Sequence, residues 1–105
     1  MIDSIPVSNL PECKIRQYRK RKTRCYEIGG NFILDNPAGW VLVHATVGGI
    51  PHCFVENDTL VYDPQLNRFY DNGQYYTFFS VIGCHKYGAM DAAKTMVYNG
   101  HWGPW

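Results

Sequence analysis

The sequence lacks a long apolar run, an internal repeat and a low-complexity segment. No hydrophobic stretch approaches the roughly eighteen residues that cross a bilayer, which argues against a transmembrane helix, and we expect no membrane partner. Residues 1–14 lack the charged-then-apolar pattern of a secretory signal, so we expect a cytoplasmic protein. With 105 residues and 46% hydrophobic content, the chain is long enough for one core and too short for two ordinary domains. We therefore predict a single domain over residues 1–105, whose oligomeric state the sequence does not indicate.

The cysteines of this chain could form disulfides, bind a metal or remain free thiols. The number of cysteines would allow two disulfides, but a chain that builds its own core and carries no export signal favours free thiols. The sequence has four of them: Cys13, Cys25, Cys53 and Cys84. His52-Cys53 and Cys84-His85 are adjacent pairs, whereas metal ligands are usually spaced so that their side chains converge. We expect no metal site and no cofactor.

The basic residues are unevenly distributed. Seven of the ten fall between Lys14 and Arg24, while the chain from Cys25 onward has three basic and seven acidic residues. Such a run is most often a solvated surface, but it can also bind nucleic acid, an acidic partner or an anionic substrate. It ends directly before Cys25, where cations favour a thiolate. The candidate anion-binding residues are Arg19, Lys20, Arg21, Lys22 and Arg24.

Hydrophobic spacing predicts an α+β domain with an N-terminal helix that carries a cysteine, an antiparallel sheet and a C-terminal helix. Residues 1–13 contain Pro6 and Pro11 and predict an extended lead-in. The helices are predicted over 25–34 and 89–98, with Gly100 ending the second. Strands are predicted over 40–47, 50–56, 59–63 and 75–82.

We expect a hairpin that turns at Asn57-Asp58, because both residue types tolerate a tight turn. If these two residues form the loop, His52 lies directly opposite Asp63. Directly opposed side chains project on the same face, about 4.5 to 5.5 Å apart at Cβ, which permits a carboxylate to imidazole hydrogen bond. A turn of odd length would place one of them on the wrong face.

A histidine oriented by a carboxylate can activate a nucleophile, and Cys25 is the best candidate. It opens a predicted helix, where free amides and the helix dipole favour a thiolate and can hold an oxyanion. The structural alternative is a small buried cysteine beside a satisfied histidine and aspartate pair. His44 and His101 are expected to have structural roles.

Four short motifs carry a family resemblance: a cysteine that opens a helix, then Gly39 to Val43, then Pro51 to Glu56, then Val61 to Pro64. Together they resemble the transglutaminase-like branch of the papain-like cysteine protease superfamily over about residues 25 to 64. The resemblance implies a papain-like core and a catalytic triad of Cys25, His52 and Asp63. It also implies that Gln17 could donate to an oxyanion, as a glutamine does in papain-type enzymes. Phe54 and Gln65 depart from the residues that are usual in this family.

These observations predict a small cysteine-dependent hydrolase or acyltransferase, of peptidase, amidase or deamidase type, acting on a protein, peptide or amide. The alternative is a noncatalytic module that binds nucleic acid or an acidic partner through residues 14–24 and an exposed Tyr18. A third interpretation is an assembly subunit, with the aromatic tail 102–105 at its interface.

Overall fold

A five-stranded antiparallel sheet and three helices form the structure, a computed structural model that describes residues 2–105. The elements in chain order are α1 (Cys25–Asp35), β1 (Val41–Val47), β2 (Ile50–Glu56), β3 (Leu60–Asp63), β4 (Arg68–Asp71), α2 (Asn72–Phe78), β5 (Val81–Tyr87) and α3 (Ala89–Asn99). The strand order across the sheet is β4-β3-β2-β1-β5. The predicted α+β class is confirmed, with a cysteine at the start of the first helix.

Each face of the sheet buries a different hydrophobic cluster, because alternate residues of a strand point to opposite faces. Helices α1 and α3 cover one face, where Leu42, Cys53 and Val55 pack beneath Phe32 of α1. Helix α2 covers the other face, where Phe54 packs against Tyr75. Neighbouring residues of β2 therefore belong to different layers.

The two glycines inside α1 allow this helix to pack closely on its neighbours. A Cβ on Gly29 would lie 2.8 Å from Cys53 Sγ, and a Cβ on Gly30 would lie 2.6 Å from the Trp102 ring. Glycine disfavours helix on its own. Here the lost propensity is offset by contact with the sheet on one side and with the C-terminal tail on the other.

Within residues 2–24, the chain before α1 forms no α-helix or strand, and its one regular element is a 3-10 turn at Val7–Asn9. The Ile5 amide donates to the Phe69 carbonyl at 2.7 Å, so this segment lies along β4 at one edge of the sheet. Leu10 and Cys13 pack against the core. Residue 1 of the predicted lead-in lies outside the described residues.

The predicted strand over residues 75–82 is wrong. Residues 72–78 form α2, and the strand begins only at Val81. The Asp71 side chain accepts the Gln74 amide at 3.0 Å and so caps the start of the helix. The short strand β4, which directly precedes this cap, was not predicted.

Candidate functional site

The register of β2 against β3 differs from the predicted one by two residues. Val55 pairs with Tyr62 and Glu56 with Val61, so Asp63 counts to Phe54 and not to His52. The Asn57 carboxamide oxygen accepts the amides of Thr59 and Leu60 at 2.9 and 2.7 Å, which makes Asn57 the first residue of the turn. The predicted direct opposition of His52 and Asp63 is therefore wrong.

The two side chains nevertheless meet, because a shift of two residues preserves the face to which each one points. His52 and Asp63 are diagonal neighbours, and His52 Nε2 lies 3.1 Å from Asp63 Oδ2. Both side chains are largely buried, with 13% and 5% of their surfaces exposed. With Nε2 on the carboxylate, Nδ1 is the ring nitrogen left for another partner.

Tyr75 is a member of this cluster that the sequence did not indicate. Its hydroxyl donates to Asp63 Oδ2 at 2.6 Å, and its ring is fully buried against Phe54. The Leu66 amide donates to the other carboxylate oxygen at 2.9 Å. Asp63 is thus fixed from three sides. The helix cap at Asp71 was the signal that could have placed Tyr75 on a helix above the sheet.

Cys25 is the first residue of α1, and its thiol lies beside the His52 imidazole. The first intrahelical bond after it runs from the Ile28 amide to the Arg24 carbonyl. Within residues 2–105 the Cys25 amide has no carbonyl partner, so this donor at the helix start stays free. Cys25 is 6% exposed and also packs in the core cluster under α1.

Burial and neighbouring charge act in opposite directions on His52. Burial alone would lower the pKa of the imidazole, but the hydrogen bond to Asp63 and the contact with the Cys25 thiol raise its pKa to about 9. Burial also opposes ionisation of Asp63, yet hydrogen bonds from His52, Tyr75 and the Leu66 amide keep its pKa below the usual value. At neutral pH the pair is therefore an imidazolium and a carboxylate.

A cleft of about 230 Å³ opens beside this pair, on the side of the sheet away from α1. His52, Asp63 and Gln65 supply its polar groups. Its apolar walls come from the end of β1, the start of β2, the loop after β3 and the end of α2: Val47, Ile50, Leu66 and Phe79. The histidine and aspartate are thus accessible from solvent through an apolar opening.

Gln17, the predicted oxyanion donor, lies in the exposed segment before α1. In the part of the chain that the structure describes, its side chain makes no hydrogen bond to Cys25, to His52 or to any other residue. No contact in the structure joins it to the site.

Two of the five candidate anion-binding residues are already engaged. Arg21 donates to the Tyr62 hydroxyl and the Pro64 carbonyl at 3.0 and 2.9 Å, and Arg24 forms a two-pronged pair with Glu27. Glu27 therefore balances the positive charge that was expected beside Cys25. Arg19, Lys20 and Lys22 are exposed, and none has an anionic partner within residues 2–105.

His44 lies on the opposite face of the sheet from His52. Its ring contacts Tyr26, Tyr87 and Trp105, with ring centres 4.7 to 5.2 Å apart. Its buried Nε2 has no hydrogen-bond partner among the described residues. Burial, with a smaller effect from His85, lowers the pKa of His44 to about 4.

All four cysteines are free thiols. Cys53 is fully buried, and burial raises its pKa well above the usual value. Cys13 and Cys84 are partly exposed and lie outside the cluster around His52. His101 is exposed in the tail, where its carbonyl accepts the Trp105 indole N–H at 3.0 Å.

Across residues 2–105, no group of three or more histidine, cysteine, aspartate or glutamate side chains is arranged to hold a metal ion. No helix in the same range is long and apolar enough to cross a membrane. The chain matches no protein family model, no curated protein and no solved structure.

Proposed function

We propose that this protein is a small cysteine-dependent hydrolase or acyltransferase, of peptidase, amidase or deamidase type, in which Cys25, His52 and Asp63 act together. The observation that carries the proposal is that one imidazole contacts a carboxylate through Nε2 and lies beside the thiol at the start of a helix. A nucleophile, a proton carrier and an orienting acid in this order are the minimum set for acyl transfer through a thioester.

The chemistry starts from an imidazolium, because the pKa of His52 is raised to about 9. A neighbouring cation favours the thiolate form of a cysteine. The Cys25 thiolate attacks a carbonyl carbon, and the free amide at the start of α1 donates to the oxygen that becomes negative. His52 then gives its proton to the leaving group as the bond to the carbonyl carbon breaks, which leaves a thioester.

The second half of the reaction reverses these roles. Neutral His52 removes a proton from water, or from an acceptor amine, as that molecule attacks the thioester carbonyl. The carbon to sulfur bond breaks and the thiolate returns beside the imidazolium. Asp63, fixed by Tyr75 and the Leu66 amide, keeps the ring oriented in both steps.

We further propose that the fold is a reduced form of the papain-like core in its transglutaminase-like branch. The support is the order of cysteine on a helix, histidine on one strand and aspartate at the end of the next, all joined by short connections. The same order underlies the resemblance of residues 25 to 64 to this branch.

The test is alkylation of the four cysteines with iodoacetamide near neutral pH, followed by mass spectrometry of each thiol. We expect Cys25 to react faster than Cys13 and Cys84, although both are more exposed. His52→Ala should slow Cys25 at least about tenfold, since the thiolate loses its counter-ion. His85→Ala, at an exposed histidine on β5, is the matched control and should leave the rate unchanged. Slow and equal labelling of all four cysteines would refute the proposal.

A further inference from the structure

The basic segment 14–24 lies along α1, running in the direction opposite to the helix. The backbone of Lys14 bonds to the side chain of Asn36 just after the end of α1, and Arg16 forms a two-pronged pair with Asp35 in its last turn. Tyr18 accepts from Asn31 at the middle of the helix at 2.9 Å. The rest of the segment must therefore lie near the start of α1, where Cys25 is located.

Two arginines hold this part of the segment against the candidate site. Arg21 donates to the carbonyl of Pro64, the residue directly after Asp63. Arg24 donates through its guanidinium to the Lys20 carbonyl and through its amide to the Arg21 carbonyl, both at 3.1 Å. The side chain of Arg24, the residue directly before Cys25, therefore links Lys20 to the start of α1.

The same contacts leave three cations in solvent. Arg19, Lys20 and Lys22 are exposed, and within the described range no carboxylate lies within salt-bridge distance of them. The nearby acids Glu27 and Asp35 are already paired with Arg24 and Arg16. We call these three residues the basic rim. It is a positive surface beside the start of α1, and no acid among residues 2–105 forms an ion pair with it.

We propose that the basic rim binds an acidic stretch of a polypeptide substrate and so brings its reactive carbonyl to Cys25. This inference rests on the proposed function, because acyl transfer defines what is delivered. Carboxylates of aspartate and glutamate complement three exposed cations that lie within four residues of the chain. The stretch of substrate next to the reactive amide is therefore negatively charged.

A nucleic acid fits the same surface less well. Binding of single strands uses aromatic faces on which bases stack, and the aromatic residue of this segment is Tyr18. Its ring already contacts the guanidinium groups of Arg21 and Arg24, each 5.3 Å from the ring centre, and its hydroxyl accepts from Asn31. Nucleic acid also offers no amide in its backbone for a thiolate to attack.

The first test compares two alkylating reagents at Cys25, anionic iodoacetate and neutral iodoacetamide. The basic rim should raise the local concentration of the anion, so the ratio of the two rates should fall about fourfold in a triple variant carrying Arg19→Gln, Lys20→Gln and Lys22→Gln. A change of about this size is expected from three partly screened unit charges at low ionic strength, and it should vanish in about 0.5 M salt. Lys20→Gln alone is matched with Lys94→Gln, an exposed lysine on α3, which should not change the ratio.

The second test measures protection of Cys25 from iodoacetamide by a hexaglutamate peptide and by a single-stranded oligonucleotide of equal charge. We expect the peptide to protect more strongly and the triple variant to lose this protection. Equal or stronger protection by the oligonucleotide would overturn the assignment to an acidic polypeptide.

The reagent ratio also separates this inference from the function on which it rests. Rapid labelling by iodoacetamide that depends on His52, with a ratio unaffected by the triple variant, would refute the basic rim alone. Slow labelling that is indifferent to His52→Ala would refute the proposed function.

Discussion

Two histidines on neighbouring strands of this sheet are both largely buried, yet their pKa values are shifted in opposite directions from the ordinary value of histidine. In the pairing of β1 with β2, His52 lies opposite Ala45 and His44 lies opposite Cys53, one position along. That single step sends the two rings to different faces. The pKa of His52 is raised to about 9, whereas the pKa of His44 is lowered to about 4.

The difference shows that the partner, and not burial, decides the charge of a buried histidine. His52 has a carboxylate at 3.1 Å, which outweighs the cost of removing the imidazolium from water. His44 is surrounded by Tyr26, Tyr87 and Trp105, and among residues 2–105 no carboxylate forms an ion pair with it. One face of the same strand pair therefore holds an ionised pair, and the other holds a neutral ring.

Removing the carboxylate that pairs with His52 should have the largest effect on stability. We expect Asp63→Ala to lower the free energy of unfolding by about 3 to 5 kcal/mol, because it removes the buried charge partner of His52 and leaves the Tyr75 hydroxyl and the Leu66 amide without their acceptor. Urea denaturation measures this loss. The control is Asp71→Ala, which removes the exposed cap of α2 and should cost about 1 kcal/mol. Equal losses in the two variants would mean that the His52 pair adds nothing beyond a hydrogen bond.

Raising the pH should weaken the protein through His52. A folded pKa of about 9, above the ordinary value of 6.5, gives stability that is complete below pH 6.5 and lost as the pH rises to 9. The loss between pH 6 and pH 9 should be about 3 kcal/mol. His52→Gln should remove this slope from unfolding measured across the range. An unchanged slope in the variant would assign it to another group.

Lowering the pH should weaken the protein through His44, with a smaller effect. Its folded pKa of about 4 lies below the ordinary value, so its contribution is complete above pH 6.5 and declines as the pH falls toward 4. At pH 5 the loss should be about 2 kcal/mol. His44→Phe keeps an aromatic ring between Tyr26 and Trp105, so its advantage over the unaltered protein should appear at pH 5 and shrink at pH 8. An advantage independent of pH would reflect packing alone.

The hairpin illustrates how far sequence patterns reach. They predicted both strands and the shared face of His52 and Asp63, because alternation needs only the parity of the count. They missed the register, since the Asn57 side chain bonds the amides of Thr59 and Leu60 and the turn is centred on Asp58-Thr59, one residue later than predicted. A shift by two residues kept the pair together.

Helix α2 illustrates the opposite case. Its aromatic residues have high strand propensity, and the predicted strand over 75–82 followed from it. The cap at Asp71 and the burial of Tyr75 against Phe54 and Asp63 favour a helix instead. Tertiary contacts override the local strand propensity here, which is why Tyr75 was not predicted to belong to the site.

The sequence alone was enough to predict the two long helices, the hairpin and the shared face of His52 and Asp63, because each depends on periodicity along a short stretch of chain. The folded structure was needed to reveal three further features: the hairpin register, the helix that brings Tyr75 to Asp63, and the division of the basic run into paired arginines and the basic rim. Each of these depends on contacts between residues that are distant in the chain or on a side chain that competes with the backbone. The sequence predicted that His52 and Asp63 share a face of the sheet, whereas the charge of the pair depends on burial and on the groups that bond to it.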